Sequence, residues 1–150
     1  MILPYYVAMI RTASLVLAAG LVVSLCSCAP TSPDPELMLP IFDVAPTAED
    51  ELPDFVVSGM TGLRAGTGRY LGSDSKGIEY YTLLAEQMGS SVTTCIVAIA
   101  SVEEWSAACD VNPPISVEIE ERQAVLQWPD DPGPEGDFEK ISDYLYVETN

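Results

Sequence analysis

The feature that most constrains this chain is an apolar run at residues 12–25, which is followed by Cys26 and Cys28 and then by a proline-rich, acidic segment. The run is about fourteen residues long, within the roughly 7–15 of a secretory signal core and short of the roughly 20 that span a membrane. Arg11, directly before it, is the only charged residue between Ile2 and Cys28. The pattern predicts an export signal, with the folded domain after it.

Two other interpretations of the N-terminus stay open. Residues 1–10 are apolar and aromatic where a signal is usually basic, so translation starting at Met9 is one hypothesis, and N-terminal mapping of the precursor tests it. The other joins residues 2–27 into one transmembrane helix. That helix would bury Arg11, at a cost of about 2.5–3.5 kcal/mol near the membrane centre.

The end of the run, Leu25-Cys26-Ser27-Cys28, resembles the lipobox of bacterial lipoproteins, although Cys26 is an uncommon occupant of its position. The resemblance implies cleavage before Cys28 and a diacylglycerol on its sulfur. Two acyl chains are enough for a stable anchor, here on the outer face of the cytoplasmic membrane. The alternatives are a plain signal cut near Ala29 and an uncleaved anchor.

These observations divide the chain into a lipoprotein signal peptide at 1–27, a lipid-anchored linker at 28–52 and an exported domain at 53–150. Up to Glu36 the linker has the composition of a stiff, solvated tether, rich in proline and acid. Residues 37–42 are too apolar for a pure linker. We expect them to dock on the domain, because exposed apolar patches are unusual on monomers; a partner-binding or membrane-grazing patch is the alternative.

Charge and composition exclude several functions. Removing residues 1–27 takes away Arg11 and no acid, so the net side-chain charge changes from −17 to −18. Such acidity argues against nucleic acid, whose phosphates are bound by lysine and arginine, and against unaided binding to anionic lipid. The chain has no histidine, which removes the commonest general base and a common metal ligand.

Hydrophobic periodicity predicts an α+β fold: a small, mainly antiparallel β domain with one or two short helices. Pro53 is suited to the first turn of a short helix. The sequence Ser101-Val102-Glu103-Glu104 has the form of a capping box and predicts a helix over 102–109, with Trp105 as a core anchor. For residues 118–126 a helix is the alternative to the hairpin formed by strands 115–120 and 124–128. Strands are predicted at 69–71, 78–85, 92–100, 115–120, 124–128 and 144–148. Residues 92–100 are largely apolar on both faces, as in a central strand, and residues 115–120 alternate between apolar and polar.

Two of the four cysteines lie at the end of the signal, and two lie in the predicted domain. Cys26 leaves with the signal and Cys28 is acylated, so Cys95 and Cys109 remain as an even pair in an oxidising compartment. A structural disulfide is the favoured interpretation. A redox couple usually has Cys-x-x-Cys spacing, and zinc needs more ligands than a histidine-free chain offers here.

No catalytic residue, metal ligand or cofactor is predicted. Carboxylates cluster at 103–104, 118–121 and 130–137, and we expect them to be solvated surface charges. The glycines around Gly66-Thr67-Gly68 follow no convincing strand and open no helix, so they are weak evidence for a nucleotide site.

A wider pattern comprises Leu52-Pro53, Arg69-Tyr70-Leu71-Gly72, Gly77-Ile78-Glu79-Tyr80-Tyr81, Cys95-Ile96-Val97, Trp105 and Cys109. It resembles the core of small exported actinobacterial proteins. That resemblance implies export and the cysteine pair, and no activity.

The leading functional hypothesis is a non-enzymatic lipoprotein that displays an acidic domain for binding or envelope support. Its partners would be the membrane, through the acyl chains, and an envelope protein or small ligand. The alternatives are a carboxylate-dependent extracytoplasmic hydrolase and a single-span membrane accessory subunit.

Overall fold

A computed structural model describes residues 38–86 and 91–149, which form two antiparallel sheets of four strands each. The first sheet contains β1 Arg69–Ser73, β2 Glu79–Glu86, β3 Val92–Ile99 and β4 Trp105–Asp110, in that order. The second contains β5 Ile115–Ile119, β6 Arg122–Leu126, β7 Phe138–Lys140 and β8 Leu145–Glu148, in the order β5-β6-β8-β7.

Helical structure in the described residues is short. It comprises one α-helix, α1 at Asp54–Gly59, and 3-10 turns at Pro40–Asp43 and Ala48–Asp50. The prediction of a mainly antiparallel β domain with few short helices is therefore confirmed, as is the helix after Pro53. The predicted signal peptide, Cys28 and the linker as far as residue 37 lie outside the described residues.

Strands β2 and β3 are buried on both faces. Every residue from Tyr80 to Ala85 and from Thr93 to Ile99 is buried. Since successive side chains of a strand point to opposite faces, both sides of this sheet must be covered. The prediction of a central strand with two apolar faces at 92–100 is confirmed.

One face of the first sheet packs against the second sheet. In β5 the residues Ile115, Val117 and Ile119 are buried and the two between them are exposed, which is the alternation expected of a sheet with one wet face. They meet Tyr80 and Ile96 in one continuous core. The two sheets thus share a single apolar layer.

The opposite face of the first sheet is covered by α1 and its flanking loops. Val56 of α1 is fully buried against Leu83 and Val97 in a second core. Trp105 packs at the edge of this core, as expected of a core anchor, although it lies on a strand.

The predicted helix at 102–109 is wrong, because residues 105–110 form β4. Ser101 Oγ accepts the Glu104 N–H at 3.1 Å, as in a capping box. The Glu104 carbonyl, however, accepts the N–H groups of Ala100 and Ser101 at 3.0 Å and closes a hairpin turn. The local motif suits either structure, and the pairing of β4 with residues 94–99 of β3 decides between them.

The hairpin of β5 and β6 turns earlier than predicted. Glu120 and Glu121 both have positive φ, 48° and 61°, as in the tight two-residue turns that match strand twist. Arg122 therefore pairs with Ile119 and begins β6, whereas the sequence predicted a turn at 121–123. The competing helix over 118–126 is wrong. The short strand β7 was not predicted.

The apolar segment before the domain docks on it. Leu39 is 0% exposed and belongs to the core between the sheets, with Ile41 and Phe42 packed against it. Arg69 fastens the segment, donating from Nε to the Ile41 carbonyl at 3.3 Å and from Nη2 to the Val44 carbonyl at 2.7 Å. The docking interpretation is confirmed for these residues, so the packed chain extends N-terminal to Pro53.

The predicted disulfide is present between Cys95 and Cys109. The two residues are direct partners in the pairing of β3 with β4, so the bond joins neighbouring strands rather than a strand and a helix. It secures β4, the last strand of the first sheet.

Reducing this disulfide should lower the free energy of unfolding by about 3 kcal/mol, the chain-entropy value for a loop of about 15 residues. Urea unfolding with and without reductant measures the change. The Cys95→Ala/Cys109→Ala variant is the control and should not respond to reductant. Equal stability of the oxidised and reduced wild-type protein would contradict the prediction.

Candidate functional site

A cleft of about 460 Å³ opens on the side of the molecule that carries α1. Residues 46–57 form one wall and residues 63–68 the other. Leu52, Val57 and Leu63 supply apolar surface to it, while Glu51 and Asp54 supply carboxylates. The cleft therefore combines apolar and acidic surface.

Asp50 holds the first wall in place. Its carboxylate accepts the Thr47 N–H at 2.6 Å and hydroxyl at 3.0 Å, and the Tyr70 N–H at 2.7 Å. Burial acts to raise the pKa of Asp50, but these hydrogen bonds and the charge of Arg69 outweigh it and lower the pKa. Asp50 is thus a fixed anion that joins the wall to β1.

The second wall approaches the first at Gly68. A Cβ on this buried glycine would lie 2.6 Å from the Asp50 carbonyl oxygen and 3.2 Å from Leu52 Cγ, so a larger residue would force the walls apart. Arg69 Nη1 donates to the carbonyls of Gly66 and Gly68 at 3.2 and 2.6 Å. The floor of the cleft is therefore packed and hydrogen-bonded.

The charges lining the cleft are unbalanced. Arg64 is the one cationic residue in the lining, and its Nε lies 3.6 Å from Glu86, which is not part of the lining. An exposed pair of this kind is weak. Within the described residues, Glu51 and Asp54 form no side-chain hydrogen bond or ion pair, so the cleft presents net negative charge.

A second polar cluster is closed off from solvent between the sheets. Asp74 Oδ1 accepts the N–H groups of Lys76 and Ile78 at 2.9 and 3.1 Å. Its Oδ2 accepts the Tyr80 hydroxyl at 2.9 Å and forms a buried ion pair with Arg122. The cluster thus links the β1–β2 turn to β6.

The second cluster is suited to stabilising the fold and not to proton transfer. Burial acts to raise the pKa of Asp74, yet hydrogen bonds from Tyr80, Ile78 and Arg122 lower it overall. Burial and the adjacent Asp74 raise the pKa of Tyr80. Asp74 stays charged and Tyr80 stays protonated, so neither is suited to transfer protons near neutral pH. Arg122 Nε is buried with no hydrogen-bond partner among the described residues.

The predicted carboxylate clusters lie on the surface and are not brought together into a site. All nine residues are exposed, as expected of solvated charges: Glu103, Glu104, Glu118, Glu120, Glu121, Asp130, Asp131, Glu135 and Asp137. No group of three metal-ligating side chains occurs in the described part of the chain.

The loop of Gly66-Thr67-Gly68, weak evidence for a nucleotide site in the sequence, is held by a hydrogen bond of its own: the Thr67 hydroxyl donates to the Arg64 carbonyl at 2.7 Å.

Sequence reasoning missed the cleft and the buried cluster. The cleft joins residues distant in sequence and has no motif. Arg122 did carry a signal, because the period of two places it on the same face of β6 as Ala124 and Leu126, which are buried. An arginine on an inward face indicates a buried anionic partner.

A scan against protein-family models and searches of curated proteins and of solved structures find no match to this chain. Within residues 38–86 and 91–149, no helix has the length and apolar character needed to cross a membrane.

Asp74→Asn should lower the free energy of unfolding by about 3–5 kcal/mol at pH 7, because it leaves the Arg122 charge buried and unpaired. The folded-state pKa of Asp74 is lowered, so its contribution is present above the unfolded pKa of about 3.9 and is lost as pH falls through the folded pKa. The gap between wild type and variant should therefore shrink below about pH 4.

Chemical denaturation between pH 2 and pH 7 measures this gap. The matched control is Asp130→Asn, an exposed carboxylate, which should change stability by no more than about 0.5 kcal/mol. A gap for Asp74→Asn that is small at pH 7, or equally large at pH 2, would contradict the assignment.

Proposed function

We propose that this chain is an exported lipoprotein, held at the outer face of the cytoplasmic membrane by acyl chains on Cys28, and that its domain is a non-enzymatic binding or envelope-support module. The observation that carries the proposal is the disulfide between Cys95 and Cys109. Structural disulfides form and persist in oxidising compartments and are rare in the cytosol. The bond therefore supports export, and export supports the lipobox interpretation.

The negative charge of the domain explains why a lipid anchor would be needed to hold it at a membrane. A chain with net side-chain charge −18 after cleavage at Cys28 is repelled by anionic lipid headgroups. Each buried methylene of an acyl chain contributes about 0.8 kcal/mol, so two long chains hold the protein at the membrane in spite of this repulsion. The tether then keeps the acidic domain clear of the surface.

Binding is favoured over catalysis by the state of the carboxylates. Asp50 and Asp74 are committed to hydrogen bonds that stabilise their charged forms, whereas a general acid needs a raised pKa. The cleft has the mixed lining of a binding site.

A carboxylate-dependent hydrolase is the second candidate, since Glu51 and Asp54 border the same cleft. An assay of cell-wall glycan cleavage with Glu51→Gln and Asp54→Asn separates the two functions: cleavage that these variants abolish favours the hydrolase. A single-span accessory subunit is the third candidate and requires that residues 1–27 survive in the mature protein.

Cys28→Ser should move the protein from the membrane fraction to the soluble extracytoplasmic fraction or leave it as uncleaved precursor, because the acylated sulfur is lost. Fractionation and immunoblotting of an actinobacterial host expressing each form measure the effect. Cys26→Ser is the matched control and should stay at the membrane as mature protein, since residue 26 leaves with the signal. Mature Cys28→Ser protein that stays at the membrane would contradict the anchor.

A further inference from the structure

We propose that the cleft between residues 46–57 and 63–68 binds an amphipathic organic cation, with its ammonium group beside Glu51 and Asp54 and its apolar chain along Leu52, Val57 and Leu63. This inference rests on the binding role proposed above and names the class of ligand. It follows from the size of the cleft, its lining and its charge.

The size and lining suit a small molecule. Ligand pockets commonly measure about 300–1,000 Å³ and combine apolar walls with a few polar groups, and this cleft is about 460 Å³. Val57 is 49% exposed at this lining, whereas Val56, its neighbour on α1, is fully buried in the second core. A ligand chain lying on Val57 would remove apolar surface from water, at about 25 cal/mol per Å².

The carboxylates stand beside this apolar surface. Asp54 and Val57 are three residues apart on α1 and so lie on the same side of the helix. Glu51 precedes them, and both acids are exposed at the cleft. A ligand that places a cation near Glu51 and Asp54 can therefore extend an apolar chain over Val57 toward Leu52.

The charge of the lining selects a cation. Three carboxylates, from Asp50, Glu51 and Asp54, face one guanidinium, from Arg64. Both oxygens of Asp50 already accept hydrogen bonds. This leaves the other two acids to meet a ligand, which is few for a hard metal ion with six or more oxygen ligands and sufficient for one ammonium group.

The preceding tether of this chain is a poor occupant of the cleft. Residues 29–37 include Asp34 and Glu36 and no cation, so like charges oppose its binding there. A second copy of the domain carries the same net charge and is opposed in the same way. The charges favour a separate, positively charged ligand.

The test uses the protein as purified from the expressing host, in nanodiscs of zwitterionic lipid where it is membrane-bound, with methyl groups followed by NMR. Hexylammonium should shift the methyl signals of Leu52, Val57 and Leu63 in a saturable manner. Hexan-1-ol, which lacks the charge, and methylammonium, which lacks the chain, should each bind at least fivefold more weakly. Equal binding of hexan-1-ol would overturn the cation, and equal binding of methylammonium would overturn the apolar contact.

Two double variants test whether Glu51 and Asp54 supply the negative charge that binds the ammonium group. Glu51→Gln/Asp54→Asn should weaken hexylammonium binding about fivefold, since two exposed ionic contacts contribute roughly 0.2–1 kcal/mol each. Glu103→Gln/Asp130→Asn removes the same two charges from exposed positions outside the cleft and should change binding less than twofold. Equal loss in both double variants would show general attraction to an acidic protein and overturn the site.

Two further measurements complete the test. One identifies the source of the cation, and the other separates failure of the binding inference from failure of the proposed non-enzymatic function. Lysine with both ends blocked, if it binds as well as hexylammonium, assigns the site to lysine side chains of a peptide; weaker binding assigns it to free amines. NMR of the ligands after long incubation detects turnover. A product would contradict the non-enzymatic function while leaving the binding inference intact, whereas absent methyl shifts would overturn the binding inference alone.

Discussion

The rest of the structure depends on the need to cover both faces of the β2–β3 pair. All residues from Tyr80 to Ala85 and from Thr93 to Ile99 are buried, and an isolated hairpin of such apolar strands is unstable in water. The second sheet covers one face, and α1 with its flanking loops covers the other. The ion pair of Asp74 with Arg122 joins the first sheet to the second, and the disulfide holds β4 against β3.

Sequence reasoning found what periodicity controls and missed what tertiary pairing controls. The two-faced burial of β3 and the alternation of β5 were readable because a strand has a period of two. The helix at 102–109 failed because Ser101 and Glu104 can stabilise a hairpin turn as well as a helix start, and pairing with β3 decided the outcome. The turn at Glu120 and Glu121 has positive φ values but no glycine or asparagine, the residues that usually indicate such a turn, so its position was not predictable from the sequence.

The cleft was beyond sequence reasoning for a related reason. One wall joins residues 46–52, which were predicted to be linker, to the predicted helix after Pro53, and the other is a glycine-containing loop; the walls approach each other where Gly68 leaves room for the Asp50 carbonyl. Leu39, fully buried in the core, shows that the chain before Pro53 is part of the packed molecule. The packed part of the chain therefore begins at least as early as Leu39 and not at Pro53.

The central functional claim is that Cys28 becomes the acylated N-terminus of an exported protein. Intact-mass measurement of protein extracted from host membranes tests it most directly. The account predicts a chain that begins at Cys28, carries the added mass of at least a diacylglycerol, and is two hydrogens lighter than the reduced form because Cys95 and Cys109 are bonded. An unmodified N-terminus, whether at Ala29 or at the start of the signal, would contradict it.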